Sequence, residues 1–99
     1  MAELGGKQRR HLRALGHHLS PVLHIGHGGV TEAVVAQANA QLDAHELIKV
    51  KVSEASPLPR HEAAGQLASA THSELAQVLG RTFLLYKPRA KDAAIVLPK

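Results

Sequence analysis

The sequence predicts an α/β (α+β) fold, a single domain over residues 1–99 with elements in the order α-β-α-β-α-β-β. Three observations carry this reading. Apolar residues recur at helical spacing in three segments; short apolar or alternating segments lie between and after them; and a glycine cluster joins the first such segment to a helix in Val22-Leu23-His24-Ile25-Gly26-His27-Gly28-Gly29-Val30-Thr31-Glu32. Strand–helix–strand units with short loops cross over right-handedly, which puts the second and third helices on one face of the sheet. The first helix can lie on the other face or beside them.

Residues 7 to 19 form the first predicted helix. Leu12, Leu15 and Leu19 share one face, Arg9, Arg13 and His17 line another, and Pro21 follows the end. Val22 to Ile25 is a short strand. Val30 to Ala44 is the second helix, with Val30, Val34, Ala38 and Leu42 on one face and Glu32 suited to the dipole of its first turn. Glu46 to Ser53 alternates Ile48, Val50 and Val52 against Lys49 and Lys51, a half-buried strand with a basic outer face. After the Ser56-Pro57-Leu58-Pro59 loop, Ala63, Ala64, Leu67, Thr71, Leu75, Val78 and Leu79 describe a long amphipathic helix over roughly 60 to 79, which Gly65 weakens and Gly80 closes. Thr82 to Tyr86 is the third strand, and its Phe83-Leu84-Leu85 run implies cover on both faces. A basic loop follows over Lys87 to Asp92. Ile95 to Leu97 is a short last strand, paired with the third as a hairpin.

The composition narrows the function classes. Twelve Lys and Arg against eight Asp and Glu give a net charge of +4, and eight histidines hold further positive charge in reserve at lower pH. An acidic partner is favoured: RNA, DNA or an anionic surface. Phe83 and Tyr86 are the only Phe, Tyr or Trp residues, too few for a platform that stacks bases on a sheet, so any RNA must be held through its backbone and shape. The chain has no cysteine, hence no disulfide and no thiolate metal site. No apolar run approaches the ~18 residues of a membrane span, and Met1 to Gly6 show no secretory h-region. A cytoplasmic protein without membrane contact is expected.

The glycine turn carries the sharpest chemical signal. A strand running through glycines into a helix exposes backbone N–H groups, a setting for phosphate. No lysine follows the glycines as a Walker A loop needs, and Thr31 stands where a dinucleotide fingerprint needs its third glycine. No cofactor is expected. What remains is G-x-x-G, Gly26-His27-Gly28-Gly29, the pattern by which KH-type modules clamp a sugar–phosphate backbone. The competing reading is a tight β–α turn needing positive φ at one glycine. Within a clamp, His27 could donate to a phosphate. Lys7, Arg9, Arg10 and Arg13 put four cations in seven positions with no acid among them, either a phosphate-facing surface or a solvated helix face.

Other chemistry is poorly supported. His17, His18, His24 and His27 cluster in sequence, but no H-E-x-x-H motif or carboxylate set accompanies them, so no metal is expected. Ser69, Thr71, His72 and Ser73 lie in a predicted helix without a nucleophile motif, and no paired carboxylates can be argued. The reading is not an enzyme.

Leu19-Ser20-Pro21-Val22, Ile25 to Thr31, Glu46-Leu47-Ile48-Lys49-Val50-Lys51-Val52, Gly80 and Leu85-Tyr86-Lys87-Pro88 together resemble the CRM domain, the chloroplast RNA splicing and ribosome maturation family, with stand-alone bacterial YhbY-like members. The resemblance runs over nearly the whole chain. It implies a mixed four-stranded sheet similar to the C-terminal domain of translation initiation factor three. It also implies RNA binding through the GxxG loop and, for bacterial relatives, association with ribosomal RNA in precursors of the large (pre-50S) subunit. Two residues depart from the family's common pattern: His27 stands where lysine is usual, and Lys87 where arginine is usual. The expectation is a monomeric, non-enzymatic RNA-binding protein. Its single basic surface would combine Lys7, Arg9, Arg10 and Arg13 with Gly26, His27, Gly28 and Gly29, and with Lys49, Lys51, Lys87 and Arg89. The alternative is a protein-interaction module on the ribosome, with a purely structural glycine turn.

Overall fold

The computed structural model describes residues 4–89 and 95–98. Its elements are α1 (Gly6–Gly16), β1 (Leu23–Ile25), α2 (Glu32–His45), β2 (Leu47–Val52), α3 (Arg60–Thr71), β3 (Glu74–Leu79) and β4 (Thr82–Tyr86). The strands form one sheet in the order β1-β2-β4-β3. β1 runs parallel to β2, while β2/β4 and β3/β4 are antiparallel, so the sheet is mixed as the resemblance implied.

Alternation along the strands sorts two cores. Leu23, Ile25, Ile48, Val50, Val52, Phe83 and Leu85 face α2 and α3, meeting Ala38, Leu42, Ala63, Ala64 and Leu67. On the opposite face, Leu47, Leu84, Tyr86 and Ala76 enclose Leu12 of α1. The first helix therefore covers the face that the other two leave free. The Phe83-Leu84-Leu85 run is buried on both faces, which is why it reads as continuously apolar. At Gly16 the helix comes so close to β4 that a Cβ there would overlap the Leu84 side chain.

The long helix expected over 60 to 79 is two elements. His72 takes left-handed backbone (φ 55°), and Ser73 N donates to Ala68 O at 3.0 Å. Thr71 Oγ1 donates to Leu67 O and pairs with Ser73 Oγ, so the helix ends here. The rest is β3. Its Leu75, Val78, Leu79 spacing imitates a helical period because of a β-bulge. Leu75 pairs with Leu85 and Gln77 with Leu84, leaving Ala76 as the extra residue. The bulge turns Leu75 and Val78, three positions apart, onto the same α2/α3 core while Ala76 enters the α1 core.

Gly80 consequently closes a hairpin, not a helix. Gly80-Arg81 is a two-residue turn with positive φ (59°) at its first position. The hairpin partner of β4 is β3, and residues 95–98 form no strand. Ile95 and Leu97 instead pack against the α1 core, and Pro98 O accepts from Gln8 Nε2. Part of the predicted Lys87–Asp92 loop lies outside the described residues. The element string is as expected and Thr82–Tyr86 is a strand as predicted, but it is the last one, and its hairpin partner is Glu74–Leu79 in place of residues 95–97.

Candidate nucleic-acid interface

The glycine turn sits at the end of the sheet where β1 and β2 finish, since Ile25 pairs with Val52. Gly29 N donates to Gly26 O at 3.0 Å, closing the turn, and Gly29 is buried with φ 70° against Pro57 and Leu58. That glycine answers the plain-turn reading. Gly26 and Gly28 differ. Neither has positive φ; a Cβ at Gly26 would meet nothing within 4 Å, and one at Gly28 only Thr31 Cγ2 at 3.4 Å. The fold does not need glycine at these two positions. His27 and Gly28 are exposed, and their N–H groups bond to no other described residue.

α2 does not follow the glycines directly. Val30 and Thr31 intervene, and Thr31 Oγ1 accepts from Val34 N at 3.2 Å as the N-cap. One helix-terminal amide is thus satisfied internally, while the His27 and Gly28 donors belong to the turn itself.

Strand register arranges the cations. Lys51 lies between His24 of β1 and Thr82 of β4, and Thr82 pairs with Leu79. These residues share the α1 face, but α1 packs on the Leu47, Leu84 and Tyr86 end, so His24 and Lys51 stay exposed beside the glycine turn. Lys49, half-buried, is one step nearer α1 on the same face. His24, absent from the sequence-based set, joins this row by its pairing with Lys51. The Leu23-His24-Ile25 alternation showed that it faces away from one core, but its neighbour depends on register.

Lys7, Arg10 and Arg13 are exposed on α1. Arg9 is not free: its Nη1 donates to Leu75 O beside the bulge. Lys87 and Arg89 lie at the other end of the sheet, following Tyr86, which pairs with Leu47. The length of β2, about 17 Å at strand spacing, separates them from the glycine turn. Lys87 Nζ donates to Thr71 O at 3.0 Å and Arg89 Nη2 to Ala44 O at 3.2 Å, so they satisfy carbonyls at the C-terminal ends of α3 and α2. The single basic surface expected from sequence is therefore divided, and these two cations belong to its remote part.

A sequence profile for the CRS1/YhbY (CRM) domain matches residues 4–87. The chain belongs to the CRM domain family. The match spans every helix and strand, the glycine turn included. Among CRM relatives, the "Probable RNA-binding protein YqeI" of Bacillus subtilis is 39% identical over 95 residues, covering 96% of this chain and 99% of the relative. An "RNA-binding protein" of Haemophilus influenzae is 37% identical over 99 residues, covering 100% and 99%. The solution structure of SAV1595 from Staphylococcus aureus, described as a candidate RNA-binding protein, superposes with a TM-score of 0.82 at 40% identity, covering 96% of this chain and 99% of that one. The CRM fold here includes no helix long and apolar enough to cross a membrane, and no group of three or more His, Cys, Asp or Glu placed to hold a metal, among the described residues.

Proposed function

We propose that this protein binds RNA by its sugar–phosphate backbone at the Gly26–Gly29 turn, with Lys49, Lys51, His24 and the α1 cations Arg10 and Arg13 as electrostatic support. The observation that carries the reading is the steric emptiness over Gly26 and Gly28. Glycine lowers stability through its unfolded-state freedom, so two glycines the fold does not require are best explained by a ligand backbone that approaches closely. The exposed His27 and Gly28 amides supply donors for phosphate oxygens. The RNA-binding names of relatives similar over nearly their full length support the same partner. Binding to ribosomal RNA within an assembling large subunit is the cellular role this reading favours, carried out by a monomer without catalysis.

The test is the double variant His27→Asp and Gly28→Asp, which sets two carboxylates where phosphates would lie. RNA affinity should fall at least about tenfold, or 1.4 kcal/mol. The circular-dichroism spectrum should not change, because both positions are exposed and Gly28 has room for a Cβ. Unchanged affinity in a folded variant would reject the clamp. Ribosome association that survives ribonuclease would favour the protein-interaction reading.

A further inference from the structure

β1 is three residues long and β2 six, so beyond the Val22 N–Lys49 O bond (3.0 Å) no described strand lies on the β1 side of the start of β2, whose other side pairs with β4. A groove of about 440 Å³ occupies the gap. Its walls are Leu15, Leu19, Val22, Leu47, Ile48 and Ile95, of which Leu15, Leu19 and Val22 are 39%, 36% and 44% exposed. Ser20, His45 and Lys49 supply polar atoms to it, and none of the described lining residues is acidic. The nearby Glu46 is buried, its carboxylate accepting the Arg89 and Ile95 amides.

We infer that this groove receives an unpaired nucleobase of the bound RNA, while the adjoining phosphates lie on Lys49 and the exposed cations of α1. The inference rests on the RNA reading above and adds a base-accepting subsite to it. Size and lining suit a flat, largely apolar ligand fixed by a few polar groups. Charge selects among occupants. A two-fold contact centred here would set Lys49 against its own symmetry mate, which disfavours a second copy of this chain. A polyanion with a base turned out of its stack meets both the apolar walls and the basic rim, and single-stranded RNA presents such bases. Lys49 links the groove to the row of Lys51 and His24 beside the glycine turn, so one strand can reach both.

The experiment compares the full chain's affinity for a short single-stranded RNA of mixed bases with that for the same strand carrying abasic riboses at successive internal positions, each across a salt series. The intact strand should bind about fivefold tighter, at the low end of the per-base gain on aromatic platforms because these walls are aliphatic. The double variant Leu19→Ser and Val22→Ser should lose that preference and keep the salt slope, with thermal melts confirming its fold. Equal affinity of the unaltered chain for both strands, with salt dependence intact, would overturn the subsite and leave the RNA reading standing. Absence of salt-dependent binding to either strand would overturn the RNA reading. A variant that keeps the full preference would also overturn the subsite, as would a dimer of the unaltered chain that the variant dissolves.

Discussion

Gly26, Gly28 and Gly29 share one turn but answer to different constraints. Gly29 has positive φ and is buried, so Gly29→Ala should lower stability by about 1–2 kcal/mol, measurable by urea titration. Gly26→Ala meets open space and should leave folding intact, so any loss of RNA affinity would report on the interface. The sequence displayed the glycine spacing but not this division of labour, which depends on backbone angles. Glu46 reads in the sequence as the start of the alternating strand, but it is the C-cap of α2, and β2 begins at Leu47. It is buried with φ 63°, and its carboxylate accepts Arg89 N at 3.0 Å and Ile95 N at 3.1 Å. Glu46→Gln should cost about 1–3 kcal/mol, since an amide cannot accept at both ends. Burial first, and the Glu46 carboxylate second, push the Tyr86 phenol above its ordinary value of 10.0. The fold thus favours the neutral phenol. That contribution is whole below about pH 10 and is lost as pH rises through the raised value, because the unfolded chain releases its proton first. Tyr86→Phe should therefore show a shallower alkaline loss of stability in chemical denaturation as pH rises above about 10.

Helices and strands obey the same distinction between space and spacing. Gly16→Ala improves helix propensity by up to ~1 kcal/mol but forces a methyl onto the buried Leu84 side chain. Overpacking of this kind costs about 1–3 kcal/mol, so the variant should melt lower. Gly65→Ala in α3 meets nothing within 4 Å and should melt higher. Periodicity located α1, β1, α2 and β2 to within a few residues because each has one register of burial, and the unbroken apolar run located β4. It failed for β3, where the bulge at Ala76 places two apolar residues three apart on one face. The residues 95–97 read as a strand because they are apolar, yet their role is to pack against the α1 core. Apolar content alone does not state a pairing partner.

Across the whole molecule, the fold gathers part of the predicted basic surface and disperses the rest. The Lys51 row and the glycine turn meet at one end of the sheet, while Lys87 and Arg89 serve helix C-termini at the other. Charge was legible in composition; its distribution followed from strand order. Arg10→Ala and Arg13→Ala should each leave stability within about 0.5 kcal/mol, as exposed positions do, and each reduce the salt slope of RNA binding by about 0.7. Arg9→Ala should instead destabilise, because it releases the Leu75 carbonyl. That carbonyl has a wider significance. β3 is the outermost strand on its side, and an open row of backbone groups there could template the addition of another chain. Ala76 puts a kink in that row, and the Arg9 guanidinium occupies one of its acceptors, so the rim is a poor seed for fibrillar assembly.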